Sequence, residues 1–183
     1  VNPNPARFDQ KKADAINAAH IRLLTLDDFK SRLMPYLQSA GVVGPTLSAE
    51  EDAILTAVAP LIQERLVVLS EAPDLVSFLF KTADQIVIED DAKAGLPENT
   101  AEVLRSAVAA LEPIAESEFK TETVQAALQA ALIDGLGLKP RVAFGPLRTG
   151  ISGRRISPPL FESMEILGKA ETIARLNAFA SAA

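Results

Sequence analysis

The amino-acid sequence predicts an all-α fold. Three observations lead to this class: helix-capping residues precede runs of apolar residues with helical spacing, the apolar residues are mainly aliphatic, and hardly any segment has a strand pattern. Of the 183 residues, 48% are hydrophobic but only 5% are aromatic, and Trp and Cys are absent. A core of small aliphatic side chains suits closely packed helices. The lack of cysteine excludes disulfides and thiolate metal sites.

The first forty residues predict two helices. Asp9 can cap a helix that runs to about Leu24, and residues 26–29 open a second helix, in which Pro35 introduces a kink or a restart. One stripe of the first helix is expected to face the core, and it consists of Ala13, Ile16, His20 and Leu23.

A capping box predicts the start of the third helix. Ser48 and Glu51 stand three residues apart, and at this spacing each side chain can accept a hydrogen bond from the other residue's backbone N–H. Apolar residues follow with a helical period, but Pro60 predicts a break or a kink. A short apolar helix is expected near residues 75–80, and residues 86–91 are expected to form a linker.

The second half of the chain predicts four more helices. The first covers residues 97–111, and Thr121 or Thr123 caps the next, which Gly135 closes. Ser157 is expected to cap a helix with Pro158 and Pro159 in its first turn, followed by a last helix after Gly168. The core face of the helix over 97–111 is expected to comprise Val103, Leu104, Ala107, Val108 and Leu111.

Charge is unevenly distributed along the chain. The net charge is −6, yet no acidic residue occurs between Asp134 and Glu162. We interpret this Gly- and Pro-rich interval as a basic loop that can bind phosphate, since distant acidic groups are screened beyond about 8 Å at physiological salt. An ordinary solvated loop is the alternative. The basic residues of the interval are Lys139, Arg141, Arg148, Arg154 and Arg155.

The residue types exclude most kinds of catalytic centre. His20 is the single histidine, no cysteine nucleophile exists, and no Gly-rich phosphate loop follows a strand. We therefore expect no catalytic residue, no metal site and no cofactor in these residues. The apolar runs are too short to cross a membrane. The lack of cysteine favours a reducing cytoplasm as the location. The N-terminus lacks both an initiator Met and a signal pattern, so we expect a chain taken from a longer protein.

Two stretches carry a specific resemblance. Residues 8–22 read FDQKKADAINAAHIR, and residues 146–162 read PLRTGISGRRISPPLFE. In this order and at this separation they resemble bacterial glutamyl-tRNA synthetases, especially the actinobacterial ones. Lys12-Ala13 replaces the family's usual Lys-Leu, Gly150 replaces Ala, and Ser152 replaces Thr.

The resemblance implies the domain organisation and the partners. Residues 1–29 would be the tail of a stem-contact domain, and residues 30–88 and 89–183 would be two consecutive helical anticodon-binding domains. The family's ATP-binding signatures do not occur in the sequence. ATP and glutamate would therefore bind the missing N-terminal catalytic domain of the same chain, and the partner of this part would be glutamate tRNA. The expected state is a monomer with no membrane contact.

The resemblance and the residue chemistry together select the candidate site. Arg65 matches the position at which many family members read the third anticodon base, although pairing with Glu64 or Glu51 is an equal alternative. Pro158, Pro159 and Leu160 are expected to form an apolar ledge for unstacked bases beside the Ser157 hydroxyl. A capped helix with an exposed loop is the alternative. The expected phosphate ligands are Lys139, Arg148, Arg154 and Arg155.

Two functions from different classes follow. The first is tRNA binding as part of a synthetase, and the two motifs favour it. The second is a helical protein-interaction module without a nucleic-acid role, which the acidic net charge and the low aromatic content favour. Aminoacylation by these residues alone is not expected, because they contain no ATP site.

Overall fold

The computed structural model describes residues 9–183, and over that range every regular element is a helix. The all-α prediction is confirmed. The α-helices are α1 Gln10–Leu23, α2 Leu26–Ser39, α3 Ala49–Gln63, α4 Ala72–Val76, α5 Asp90–Ala94, α6 Thr100–Leu111, α7 Thr121–Leu128, α8 Pro140–Ser152, α9 Leu160–Leu167 and α10 Lys169–Ala182. Short 3₁₀ turns cover Leu69–Glu71, Ser77–Phe80, Ala83–Gln85 and Glu116–Glu118, and a π-helix covers Gln129–Gly135.

The chain forms two compact units, one ending at Asp74 and the other spanning Leu75–Ala183. The division therefore falls earlier in the chain than the domain boundary expected after residue 88. The segment expected to be a linker is held within the second unit, because the backbone N–H of Glu89 donates to the Gly153 carbonyl at 2.9 Å. Phe8 and the seven residues before it lie outside the described residues.

The predicted caps of the first unit are confirmed. The Asp9 carboxylate accepts from the Lys12 N–H at 3.2 Å. Ser48 and Glu51 form the reciprocal capping box, with distances of 3.1 Å and 2.7 Å. Pro35 and Pro60, in contrast, lie inside continuous helices. Both prolines are exposed, so water can reach the carbonyl group that each leaves without a helical donor.

The stripe of α1 expected to face the core points outward instead. Ile16 is 50% exposed and Leu23 is 81% exposed, whereas Ala18 and Ile21 are buried on the opposite side of the helix. Polar contacts decide this orientation. The Asn17 side chain donates to the Val67 carbonyl. Gln63 donates to the carbonyl groups of Ile21 and Leu24, both at 2.9 Å, and Arg22 bonds to the Glu64 carbonyl at 3.2 Å.

The second unit is built around α6 and α10, which pack against each other. The core face expected for α6 is confirmed, since all five of its predicted residues are buried. The predicted end of the following helical segment at Gly135 is also confirmed. The five residues of the α6 core face are Val103, Leu104, Ala107, Val108 and Leu111.

The cap expected for α7 at Thr121 or Thr123 is wrong. Thr121 is the first residue of the helix, and a carboxylate from α9 replaces the local cap. Glu165 accepts the Thr121 N–H at 2.7 Å and the Thr121 hydroxyl at 2.6 Å, and it lies 3.3 Å from the Lys120 ammonium. The hydrogen bonds from the Thr121 side chain and backbone hold the pKa of Glu165 below its ordinary value of 4.5, and Lys120 adds to this effect.

A buried arginine ties the segment after Leu75 to the helices of the second unit. Arg175 of α10 is only 2% exposed. Its guanidinium donates to the Phe78 carbonyl at 3.0 Å, to the Ile151 carbonyl at 2.7 Å and to the Lys81 carbonyl, while its Nε donates to Glu171 at 2.8 Å. A planar group with five donors can satisfy all these acceptors at once.

We predict that Arg175→Leu lowers the free energy of unfolding by about 3 kcal/mol or more, because it leaves Glu171, two buried carbonyl groups and the part-buried Lys81 carbonyl without their donor. Urea denaturation measures this loss. Arg105→Leu, at an exposed position of α6, is the matched control and should change the free energy by about 0.5 kcal/mol or less. Equal effects of the two substitutions would show that the buried hydrogen bonds contribute nothing to stability.

We predict that Glu165→Gln destabilises the chain by about 1 kcal/mol at neutral pH, the usual size of a helix-cap effect. The folded pKa of Glu165 is lowered, so the carboxylate's contribution is fully present above its unfolded pKa and is lost as the pH falls through the folded value. The difference from the parent chain should therefore shrink between pH 5 and strongly acidic pH, as thermal melts in a pH series can measure. A difference that stays constant over this range would contradict the capping role.

Candidate nucleic-acid interface

The basic interval forms a helix over most of its length, and the expectation of a loop is wrong. Lys139 occupies the N-cap position of α8, and Pro140 is its first residue, where a proline lacks an N–H that the helix does not use. Pro146 lies inside the helix and is buried, and the helix continues to Ser152. Gly153 then ends it in the left-handed conformation, with φ of 77°.

Three arginines, two of them on α8, reach one open cleft of about 180 Å³. Arg141 and Arg148 are seven residues apart, so they share one face of α8 two turns apart. Arg155 reaches the same cleft from the turn after the helix, and its guanidinium carbon lies 3.9 Å from the position that a Cβ atom on Gly95 would take. The cleft is also lined by Leu96, Pro97, Pro140, Gly145 and Thr149. We call this feature the arginine cleft.

The electrostatic character of the arginine cleft is positive. No acidic residue lies between Asp134 and Glu162 in the sequence, and none lines the cleft. Within residues 9–183, Arg141 and Arg155 take part in no ion pair. Arginine presents a planar fork of donors that suits phosphate oxygens and base edges and can also stack on a base. The cleft therefore has the chemistry of an anion or nucleotide site.

Arg141 is absent from the site residues that the sequence predicts. The sequence pattern favours a loop for the interval that contains it, and in a loop its spacing from Arg148 carries no information. Once the segment is known to be helical, the separation of seven residues places both side chains on one face. The signal was therefore present but depended on the correct secondary structure.

Two predicted phosphate ligands lie elsewhere. Lys139 is exposed at the N-cap of α8 and does not line the cleft. The Arg154 guanidinium pairs with the Glu89 carboxylate at 2.7 Å. The ion pair and the hydrogen bond from the Glu89 N–H to the Gly153 carbonyl join the same two chain segments. The two backbones approach closely at this corner, since a Cβ atom on Gly153 would stand 2.2 Å from the Val87 carbonyl oxygen.

The apolar ledge expected for RNA bases is covered. Ser157 is 3% exposed and Leu160 is 5% exposed, while Pro158 is buried as well. Ser157 does not cap α9, because its hydroxyl donates to the Pro158 carbonyl at 2.7 Å and Pro159 occupies the N-cap position. A residue before proline is biased away from the helical conformation, so the two consecutive prolines delay the helix until Leu160. The expectations of a Ser157 cap and an exposed ledge are therefore wrong.

Arg65 lies in the first unit, in the turn that follows α3, and is exposed. Its N–H donates to the Ile62 carbonyl at 2.9 Å. Of its two expected carboxylate partners, Glu64 pairs with Arg22 at 3.5 Å and Glu51 closes the capping box of α3. The role of Arg65 in reading a base stays a prediction.

Other kinds of site receive no support from the part of the chain that the structure describes. Over residues 9–183, no group of three or more His, Asp or Glu side chains is placed to hold a metal ion. In the same range, no helix has the length and apolar character needed to cross a membrane.

Comparisons with known proteins agree on one family. A family model described as an anticodon binding domain matches residues 28–180. The chain is 61% identical over 179 residues to a glutamate–tRNA ligase of Arthrobacter sp. (strain FB24), which covers 98% of this chain and 35% of that protein. It is 57% identical over 180 residues to a glutamate–tRNA ligase of Clavibacter sepedonicus, covering 98% and 36%. The resemblance drawn from the two sequence motifs is confirmed.

Solved structures share the fold. A crystal structure of a glutamate tRNA ligase from Elizabethkingia meningosepticum in complex with its amino acid matches with a TM-score of 0.75 and 22% identity, over 95% of this chain and 32% of that one. The glutamate-tRNA synthetase of Elizabethkingia anophelis matches with a TM-score of 0.72 and 21% identity, over the same shares. The chain thus spans about a third of the length of the curated and solved proteins that it matches.

We predict that Leu160→Asp unfolds the second unit instead of acting at an exposed surface. A carboxylate at this buried position should lower the free energy of unfolding by about 3 kcal/mol or more. Ile156→Asp is the matched control, because Ile156 is close in sequence and 73% exposed, and it should cost about 0.5 kcal/mol or less. Urea denaturation followed by circular dichroism compares them. If the Leu160→Asp chain is as stable as the parent, Leu160 is exposed after all and the expectation of an apolar ledge is correct.

Proposed function

Since the chain belongs to the anticodon-binding domain family and corresponds to that region of the glutamate–tRNA ligases, we propose that it binds glutamate tRNA through the arginine cleft. The observation that carries this proposal is the convergence of Arg141, Arg148 and Arg155 on one open cleft. Side chains of this type position RNA by holding phosphate oxygens, and their planes also stack on unpaired bases.

The acidic net charge does not oppose this role. The chain has a net charge of −6, but charges farther than about 8 Å are largely screened at physiological salt. The charged residues that line the cleft itself are the three arginines. The alternative function, a helical protein-interaction module without a nucleic-acid role, is not favoured by the family to which the chain belongs.

The proposal also covers the activity of the longer protein to which these residues would belong. The parent protein would be a class I synthetase that attaches glutamate to tRNA with ATP, and this part would be non-catalytic. ATP and glutamate would bind the N-terminal catalytic domain of the same chain. The protein would act as a monomer in the cytoplasm, without membrane contact. The family match begins at residue 28, which supports a stem-contact tail over residues 1–29.

The roles of the individual side chains follow from their positions. Arg148 and Arg155 would hold phosphates in the cleft together with Arg141, and Arg65 would contact a base from the first unit. Lys139 would act at longer range from the start of α8. Arg154 would support the site through its ion pair with Glu89. Ser157, Pro158 and Leu160 would support it from below the surface, since they are buried.

We predict that Arg148→Ala and Arg141→Ala each weaken binding of glutamate tRNA and flatten the slope of log affinity against log salt by about 0.7–0.9, the change for one lost phosphate contact. Gel-shift titrations between 50 and 200 mM salt, conditions on the order of those used for such slopes, measure both quantities. Arg105→Ala on α6 is the control, because it removes one exposed positive charge outside the cleft.

Two results would count against this function. If the parent chain binds glutamate tRNA no more tightly than a DNA duplex of equal charge, the proposed function is wrong. If all three variants lose the same amount of tRNA affinity, the loss is a general effect of charge, and the arginine cleft is excluded as the binding site.

A further inference from the structure

We propose that Glu89 is a positioning residue for the arginine cleft: it joins the start of α5 to the end of α8 and so holds Arg155 in the cleft. The inference rests on the proposed binding of tRNA. Glu89 does not line the cleft, so it acts through the residues that it holds, and its own negative charge opposes RNA.

The arginine cleft has two walls that come from distant parts of the chain. One wall is α8, and the other is the end of α5 with the turn after it, which contribute Ala92, Gly95, Leu96 and Pro97. Helix α5 has only five residues, and Ala92 is the single one of them that is buried. A helix shorter than about 12 residues is marginal by itself in water. The position of this wall therefore depends on the contacts that hold its ends.

Glu89 supplies such a contact at the N-cap of α5. Its backbone N–H donates to the Gly153 carbonyl at 2.9 Å, and its carboxylate accepts from the Arg154 Nε at 2.7 Å. The backbone of Arg154 is held as well, because its N–H donates to the Ser152 hydroxyl at 3.1 Å. The backbone and the side chain of one residue thus both attach the start of α5 to the end of α8.

Arg155 follows this attachment directly in the chain and spans the two walls. Its Cζ, Nε and Nη2 atoms each lie 3.9 Å from the position that a Cβ atom on Gly95 would take. Equal distances to these three atoms mean that the flat face of the guanidinium is turned toward Gly95. The N–H groups lie in the guanidinium plane, so they are not directed at the glycine and can donate to a ligand in the cleft. The placement of this donor set requires both the corner at Arg154 and the position of α5.

Charge and position predict opposite effects of Glu89 on RNA binding. A carboxylate near a phosphate-binding site repels the RNA, so its removal should strengthen binding if only the charge matters. If Glu89 instead holds Arg155 in place, its removal should weaken binding although the chain becomes less acidic. The sign of the effect therefore distinguishes the two roles.

The experiment measures binding of a glutamate tRNA transcript to the full chain with Glu89 replaced by Gln. Affinity at about 0.1 M salt should fall by about threefold or more, and the slope of log affinity against log salt should flatten by up to about 0.7–0.9, the share of one phosphate contact. The Tm should fall by about 4 °C or less, because the ion pair is partly exposed. Asp91→Asn is the matched control, since it makes the same charge change at an exposed position of α5, and it should not weaken binding.

Two further measurements separate positioning from a general loss of structure. In a chain that already carries Arg155→Ala, Glu89→Gln should cause no further loss of affinity, because the contact that it maintains is absent. The exchanged pair, Glu89→Arg with Arg154→Glu, restores an ion pair at the same net charge. It should bring the affinity back to within about twofold of the parent chain.

The results distinguish the inference from the proposed function. The inference is wrong if Glu89→Gln binds tRNA as tightly as the parent chain or more tightly, if it loses as much affinity with Arg155→Ala as without it, or if the exchanged pair does not recover binding. In each of these cases the proposed function stands when Arg148→Ala is impaired. If the parent chain and Arg148→Ala bind equally weakly, the proposed function is wrong and the inference is wrong with it.

Discussion

The buried guanidinium of Arg175 fixes how the chain enters the second compact unit. It donates to carbonyl groups at Phe78 and Lys81, just after the unit begins, and to Ile151 at the end of α8. Such a group is costly to bury unless it is paired and hydrogen-bonded, and here its Nε also donates to Glu171. Because one side chain binds two distant segments, the end of α8 and residues 78–81 keep a constant relation within this unit.

The arginine cleft lies along α8, one of the two segments that Arg175 holds. Arg141 and Arg148 project from α8, while Arg155 follows the corner at Gly153, where the chain meets Val87 with no room for a side chain. The ion pair between Arg154 and Glu89 holds the same corner. The basic residues of this interval therefore divide between two tasks, since Arg154 holds the backbone corner while three other arginines line the cleft. Their charge alone does not distinguish the tasks.

The first unit illustrates how polar contacts can decide which face of a helix is buried. Helix α1 has an apolar stripe, yet Asn17 and Arg22 bond to backbone carbonyl groups of the same unit and turn the stripe outward. Ile16 and Leu23 remain exposed as a result. Hydrophobic periodicity identified the helix but not its inner side.

Local chemistry in the sequence was sufficient for the fold class, the caps at Asp9 and Ser48, and the core face of α6, because each depends on residues within a few positions of one another. The two sequence motifs were sufficient for the family. Tertiary structure alone decided that Glu165 caps α7 from another helix and that Leu160 is buried. It also placed Arg155 beside Gly95 in the cleft. These features join residues far apart in the chain, and the energy of such contacts depends on packing that no local pattern contains.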